Sequence, residues 1–323
     1  MSNFTVTIVG TGVIGSSLGL ALKQINDAPR LLGHDKDLAK AKAAAKAGAF
    51  DKAEWNLINA CEPADLIILA MPLNGIRPTL ETIAPYLKEG AVISDTARSK
   101  KAPLEWAEAL LPEHVHFVGG DPIVNPPGLG YEYASADLFR HKLYCLTPAS
   151  SAHEQAVQLM VSVAQLVGAE PFFLDATEHD GLVTAVEQLP ILLSTMLLKT
   201  LSNQTSWREA RKMASNLFEQ VSAGAAGDPD AIKEDFINGR HNLVHWLDLF
   251  MAQLRQVRAQ LTDETLADSE VAREALAKML DQAVVERHNW LKDFEQSNFA
   301  DPELASPKVE TPGLMKRLIG LRR

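Results

Sequence analysis

Gly10-Thr11-Gly12-Val13-Ile14-Gly15 has the spacing with which a chain turns tightly out of a strand, brings bare backbone up to a diphosphate and packs the next helix closely. An apolar run at residues 4–9 feeds this turn and a small, apolar stretch at residues 16–22 continues it as a helix, the setting in which such glycines bind a dinucleotide. The amides of Gly12, Val13 and Ile14 then offer the positive end of that helix to the phosphates, while Gly10 and Gly15 make the turn and the close packing possible. Asp35 ends a second apolar run, Leu31-Leu32-Gly33-His34, where a carboxylate can accept hydrogen bonds from the adenosine ribose. A carboxylate at that place repels a 2′-phosphate, so NAD is expected over NADP, a preference softened by the nearby Lys36 and Lys40. A glycine turn without a ligand is the competing reading, and strand, helix and acid together weigh against it.

Several further residues have types suited to moving protons or holding anions. Asp121, between Gly119-Gly120 and Pro122, is a candidate base if burial raises its pKa, or else a cap for the turn before the proline. Arg98 and Lys100 follow the apolar run Ile93-Ser94-Asp95, at a carboxyl end where open α/β sheets bind ligands. They read as a carboxylate clamp or as a solvated helix start. His179-Asp180 is either a pair that orients cofactor or substrate or a helix cap. Arg240 and His241 read first as the solvated face of a long amphipathic helix, with cation and base as the alternative. His34 is expected near the adenine, and the tryptophans at 55, 106, 207, 246 and 290 are too scattered to form a stacking surface.

The elements that must position these groups follow from hydrophobic periodicity. Short apolar runs at 4–9, 30–34, 66–70, 91–94, 116–118, 143–147 and 171–174 alternate with helical patterns at 38–47, 76–86, 102–111 and 153–166. That alternation predicts an α/β, Rossmann-like, doubly wound and mainly parallel sheet over residues 1–175. Residues 176–295 show only helical spacing, over 182–201, 207–221, 231–261 and 271–294, and predict an all-α domain. Its apolar faces are larger than it can bury alone, so a homodimer through this half is expected. Residues 296–323 carry three X-Pro steps and a short basic amphipathic end, and read as a flexible tail.

Length and composition narrow the field. The 323 residues suit two domains, and 46% hydrophobic with 22% charged residues is ordinary for a globular chain. A net charge of −10 argues against nucleic acid as a partner and leaves a small molecule as the expected substrate. Cys61 and Cys145 are far apart and outside any ligand spacing, which predicts no metal site and fits a reducing cytoplasm. No stretch approaches 18 uninterrupted apolar residues and the start lacks a leader pattern, so neither a membrane span nor secretion is expected.

Taken in order, several segments resemble the prephenate and arogenate dehydrogenases of tyrosine biosynthesis. They are Gly10 to Leu18, Gly33-His34-Asp35, Ala70-Met71-Pro72, Ser94-Asp95-Thr96 with Lys100, and Phe117-Val118-Gly119-Gly120-Asp121-Pro122. Gly130-Tyr131-Glu132, Ala136-Asp137-Leu138-Phe139, Leu146-Thr147-Pro148, His179-Asp180, Gln188-Leu189-Pro190 and Asp228-Pro229 continue the likeness. The resemblance implies a Rossmann-like domain, a helical dimerisation domain and an active site between them. It adds Met71, Pro72, Asp95 and Thr96 to the expected cofactor contacts. The implied reaction takes a hydride from a hydroxyl-bearing ring carbon to the nicotinamide and releases a carboxylate as CO2 while the ring becomes aromatic.

The chain departs from that family's pattern on the substrate side. Asp121 stands where the family has the histidine that polarises the hydroxyl, and Arg98 stands about where it has a serine. Glu187, Gln188 and Ile191 replace a serine and two histidines, and Ala223 replaces the arginine for the side-chain carboxylate. The resulting catalytic set is Asp121, Lys100, His179 and Glu187. Prephenate is a dianion and poorly suited to Asp121 beside Glu187, whereas the ammonium of arogenate pairs with Glu187. Two other readings remain beside this one: a dehydrogenase of another cyclic or β-hydroxy acid, and a catalytically silent NAD-binding regulator.

Overall fold

The computed structural model describes residues 4–296, so the expected tail, apart from Gln296, lies outside the described residues. One sheet of eight strands organises the first part of the chain, in the order β3 (Lys52–Ala53), β2 (Arg30–His34), β1 (Thr5–Val9), β4 (Leu66–Leu69), β5 (Val92–Asp95), β6 (His116–Pro122), β7 (Leu143–Pro148), β8 (Glu170–Phe173). The order reverses between β1 and β4, which makes that boundary the switch point where the carboxyl ends open a crevice. All pairings are parallel except β6 with β7. Residues 123–142 hold no crossover helix, only a 3-10 turn at Tyr131–Tyr133, so the chain re-enters the sheet from the same end and must run antiparallel.

Both faces are covered. Val6, Ile8, Leu66, Ile68, Val92 and Val118 point to one core, which α1 (Val13–Lys23) and α6 (Glu154–Leu166) close with Leu18, Leu22, Met160 and Val163. The alternate residues Val9, Ile67, Leu69, Ile93 and Phe117 point to the other, which α4 (Leu73–Ile83) and α5 (Lys101–Leu110) close with Ile76, Leu80 and Ala107. Two-sided burial explains why Leu66-Ile67-Ile68-Leu69 reads as a continuous apolar run without alternation. The remaining crossovers are α2 (Leu38–Lys46) and α3 (Leu57–Cys61). The edge strand β3 escapes sequence reading because it is two residues long and includes a lysine.

From α7 (Ala176–Val183) through a π-helical turn at Thr184–Gln188 to α8 (Leu189–Ser202) the chain is one helical run. By length and composition alone this run is apolar enough to cross a bilayer. Its Asp180, however, bonds to the sheet side of the fold at Ser99, Lys100 and Lys101. The helices expected at 207–221 and 231–261 are each broken. The first becomes α9 (Trp207–Ala210) and α10 (Asn216–Ser222), because Ser215 is extended and starts a new helix. The second becomes α11 (Pro229–Asn238) and α12 (Arg240–Leu261), interrupted at Gly239, a weak helix former whose N–H closes on the Asp235 carbonyl. α13 (Glu270–Gln296) follows. By contacts the described residues divide into two units, 4–240 and 241–296, so α7 to α11 fold with the sheet.

Candidate active site

The loop between β1 and α1 is built as its glycines require. Gly10 has φ +102°, and a Cβ there would stand 2.1 Å from the Ala70 carbonyl oxygen; one on Gly15 would stand 2.0 Å from that of Gly10. No side chain caps the start of α1 at Gly12, which leaves its first-turn amides to backbone or ligand acceptors. Val13 N–H donates to the Leu129 carbonyl at 3.0 Å. Asp35 is fixed by the Thr11 N–H and hydroxyl, at 2.9 and 3.1 Å on Oδ2, and by the Asp37 N–H at 2.9 Å on Oδ1. These residues fit a dinucleotide: a cradle that any Cβ would fill, an uncapped helix start and an aligned carboxylate beside it. Met71, Pro72 and Thr96 lie just past β4 and β5, partly accessible at the same edge.

Two expected site residues play a different part. Asp95 and Lys100 are fully buried and paired with each other; the Lys100 ammonium also donates to the Gly120 carbonyl at 2.6 Å. Asp95 accepts the N–H of Gly120 at 3.1 Å and of Ala97 at 3.1 Å. Neither group is open to cofactor or substrate. The sequence reading erred because a lysine after a strand end looks solvated, whereas an acid five residues earlier lets it be buried as a compensated pair. Their role is to pin β5 to β6 at the residue before Asp121.

Asp121 is 4% exposed on β6, opposite Cys145 of β7. His179, fully buried on α7, places Nε2 3.2 Å from Asp121 Oδ2 and Nδ1 3.1 Å from Asp180 Oδ1. Asp180 in turn accepts the Lys100 N–H at 2.6 Å, the Lys101 N–H at 3.1 Å and the Ser99 hydroxyl at 3.0 Å. Burial opposes charging the imidazole, but bonds to Asp121, Asp180 and Cys145 outweigh it, and the pKa of His179 is pushed up to about 11. Burial likewise works against the Asp180 carboxylate, and His179 with two backbone amides holds it below its ordinary range. At neutral pH His179 is therefore an imidazolium donating from both ring nitrogens, and its bond to Asp121 engages Oδ2.

Glu187 and Arg98, expected to meet substrate charges, meet each other at 3.4 Å with both side chains nearly half exposed. An exposed pair of this kind is worth only about 0–1 kcal/mol and yields readily to a ligand. Gln188 is buried beside them, its Oε1 without a partner among the described residues. Sequence reading missed Asp235. It is on α11, which packs on α4, and burial first, then Asp121 and Glu234, raise its pKa to about 6 against the pull of Arg98. A charged residue on an amphipathic helix gave no signal to separate it from a solvated one. Arg240 folds back onto the Ile237 carbonyl at 3.0 Å.

Comparisons with known proteins bear on the family and the fold. Residues 18–172 match the family model described as prephenate dehydrogenase, nucleotide-binding domain, and residues 175–282 match prephenate dehydrogenase, dimerization domain. The prephenate dehydrogenase of Bacillus subtilis is 24% identical over 262 residues, 80% of this chain and 71% of that protein. The cyclohexadienyl dehydrogenase of Zymomonas mobilis is 24% identical over 261 residues, 80% and 89% of the two chains. Among solved structures, prephenate dehydrogenase from Aquifex aeolicus in complex with hydroxyphenyl propionate and NAD+ superposes with a TM-score of 0.81 at 22% identity, over 90% of this chain and 99% of that one. Synechocystis arogenate dehydrogenase gives a TM-score of 0.74 at 24% identity, over 89% and 100%. At such identities the structural likeness speaks for the fold.

Proposed function

Since the chain belongs to the prephenate dehydrogenase family, we propose that it is an NAD-dependent dehydrogenase that oxidatively decarboxylates a cyclohexadienyl substrate, with Asp121 receiving the hydroxyl proton. The observation that carries this reading is the row Asp121–His179–Asp180 at the carboxyl end of β6, on the same edge of the sheet as the β1–α1 loop. Asp121 Oδ1 accepts a hydrogen bond from the substrate hydroxyl and takes its proton as the carbonyl forms. The His179 imidazolium keeps Asp121 oriented until then, and Asp180 keeps the imidazole ring in place. Bound NAD supplies the hydride acceptor. Gly10, Gly12, Val13, Ile14 and Gly15 hold its diphosphate, Asp35 its ribose, and Met71, Pro72 and Thr96 border its nicotinamide half. Asp35 favours NAD over NADP through its charge.

The charges around the site support an ammonium-bearing substrate such as arogenate. Among the described residues the cations paired with or acting on Asp121, Asp180, Glu187 and Asp235 are His179 and Arg98, so a second substrate carboxylate is unwelcome and an ammonium is matched. Residues 1–175 serve as the dinucleotide-binding domain and 176–295 as the substrate and dimerisation domain. Exposed Leu182, Val186 and Met196 on the run through α7 and α8 support a homodimer, as does the dimerization-domain match. The two free, buried cysteines suit a reducing cytoplasm. The test is nicotinamide reduction by the purified protein with arogenate and with prephenate. Turnover of prephenate without turnover of arogenate rejects the substrate assignment, and NAD binding without turnover of any cyclohexadienyl acid favours a silent regulator.

A further inference from the structure

The segment after Asp121 and Pro122 does not leave the cofactor edge of the sheet. It stays in the sheet hydrogen-bond pattern through Ile123, whose N–H donates to the Leu143 carbonyl at 2.9 Å, and then runs to the start of α1, where the Leu129 carbonyl accepts the Val13 N–H. In sheet order β6 is three places from β1, about 14 Å at a strand spacing of about 4.8 Å, with the ends of β4 and β5 between. Residues 122–129, at most about 3.3 Å each, have ample length for that crossing. They therefore pass over the crevice that the dinucleotide fits.

Both of its ends are anchored, and between them it touches the β1–α1 loop. Beyond Leu129, the Ser135 N–H donates to the Ser17 hydroxyl at 3.0 Å, and the 3-10 turn Tyr131–Tyr133 packs on α1 and α2. Tyr133 closes so tightly on Gly128 that a Cβ there would come within 2.4 Å of its ring. Val124 packs against the sheet's core and holds the near end, whereas the Leu129 side chain, at the far side of the crossing, is 76% exposed. What holds it to the β1–α1 loop is one neutral backbone bond. The Leu129 carbonyl occupies the Val13 amide and lies so close to Gly12 that a Cβ there would be 3.2 Å from it. One N–H does not serve two acceptors well, and an ionised phosphate oxygen is the stronger of the two.

We infer that residues 125–130 form a displaceable strap: an incoming dinucleotide diphosphate takes the Val13 amide from the Leu129 carbonyl, and the released strap opens the approach to Asp121. Cofactor occupancy thereby governs access to the base, so that the cofactor binds before the substrate. The inference rests on the cofactor reading above and adds the switch.

Hydrogen–deuterium exchange on the full chain, with and without NAD+, tests it directly. The strap amides are expected to exchange faster with NAD+ present while the Val13 amide stays protected. Unchanged or slower strap exchange, with NAD+ demonstrably bound, overturns the strap and leaves the cofactor reading intact. Absence of any NAD+ binding overturns both. As a second measurement, inserting two glycines between Pro127 and Gly128 slackens the strap. Removing the competing bond is expected to tighten the NAD+ Kd by roughly fivefold, the worth of one neutral hydrogen bond. An unchanged or weaker Kd in that variant, folded by circular dichroism, counts against the competition.

Discussion

In the proposed reaction Asp121 receives the proton, and its neighbours hold it in place. Replacing it by asparagine keeps the shape and removes the acceptor of a proton. Asp121→Asn is expected to lower kcat by about 10²–10⁴ while leaving the NAD+ Kd unchanged, as checked by initial rates and calorimetry. The His179 pKa gives a second expectation with a definite sign. It is raised in the folded chain from 6.5 to about 11, so the stability it contributes is complete below pH 6.5 and is lost as pH rises toward 11. Urea unfolding between pH 7 and 10 is expected to show a falling stability in the wild type and a flatter profile in His179→Gln. Asp235, raised to about 6, loses its charge as pH falls through that value. The KM for an ammonium-bearing substrate is expected to rise on that acid side in the wild type, and Asp235→Asn to remove the dependence. At this scale the sequence was only half legible. Asp121 and His179 were visible as types, but they are 58 residues apart and nothing local announces that they bond.

Elements turn these residues into a site through two junctions. The β1–α1 junction was readable because glycine at a positive φ and at a 2 Å approach leaves a spacing in the sequence that few other constraints produce. Gly10→Ala is expected to lower the melting temperature of the unliganded chain and to abolish the upward shift that NAD+ produces in a thermal-shift titration. The β5–β6 junction was misread. Its buried Asp95–Lys100 pair fixes Gly120, the residue before Asp121, and removing only the lysine leaves an uncompensated carboxylate. Lys100→Met is expected to destabilise the fold by about 3–5 kcal/mol in urea unfolding, and Asp95→Leu in the same chain to recover much of the loss. Breaks at Ser215 and Gly239 escaped periodicity because the apolar pattern continues across them.

For the whole molecule, alternation of strands and helices followed by helices alone was enough to predict a doubly wound sheet and a helical half, and both were found. The antiparallel turn-back of β7 was not foreseen; it follows from the missing crossover helix and keeps residues 123–142 on the cofactor edge. The charge balance of the site also belongs to this scale, since Arg98, Asp121, Glu187 and Asp235 come from four separate elements or junctions. The most direct measurement of the account is the joint yield of NADH and CO2 from arogenate with the purified protein and NAD+. Equal amounts of both, suppressed together in Asp121→Asn, are the predicted result. Bound NAD+ with neither product formed, or full turnover in Asp121→Asn, would contradict it.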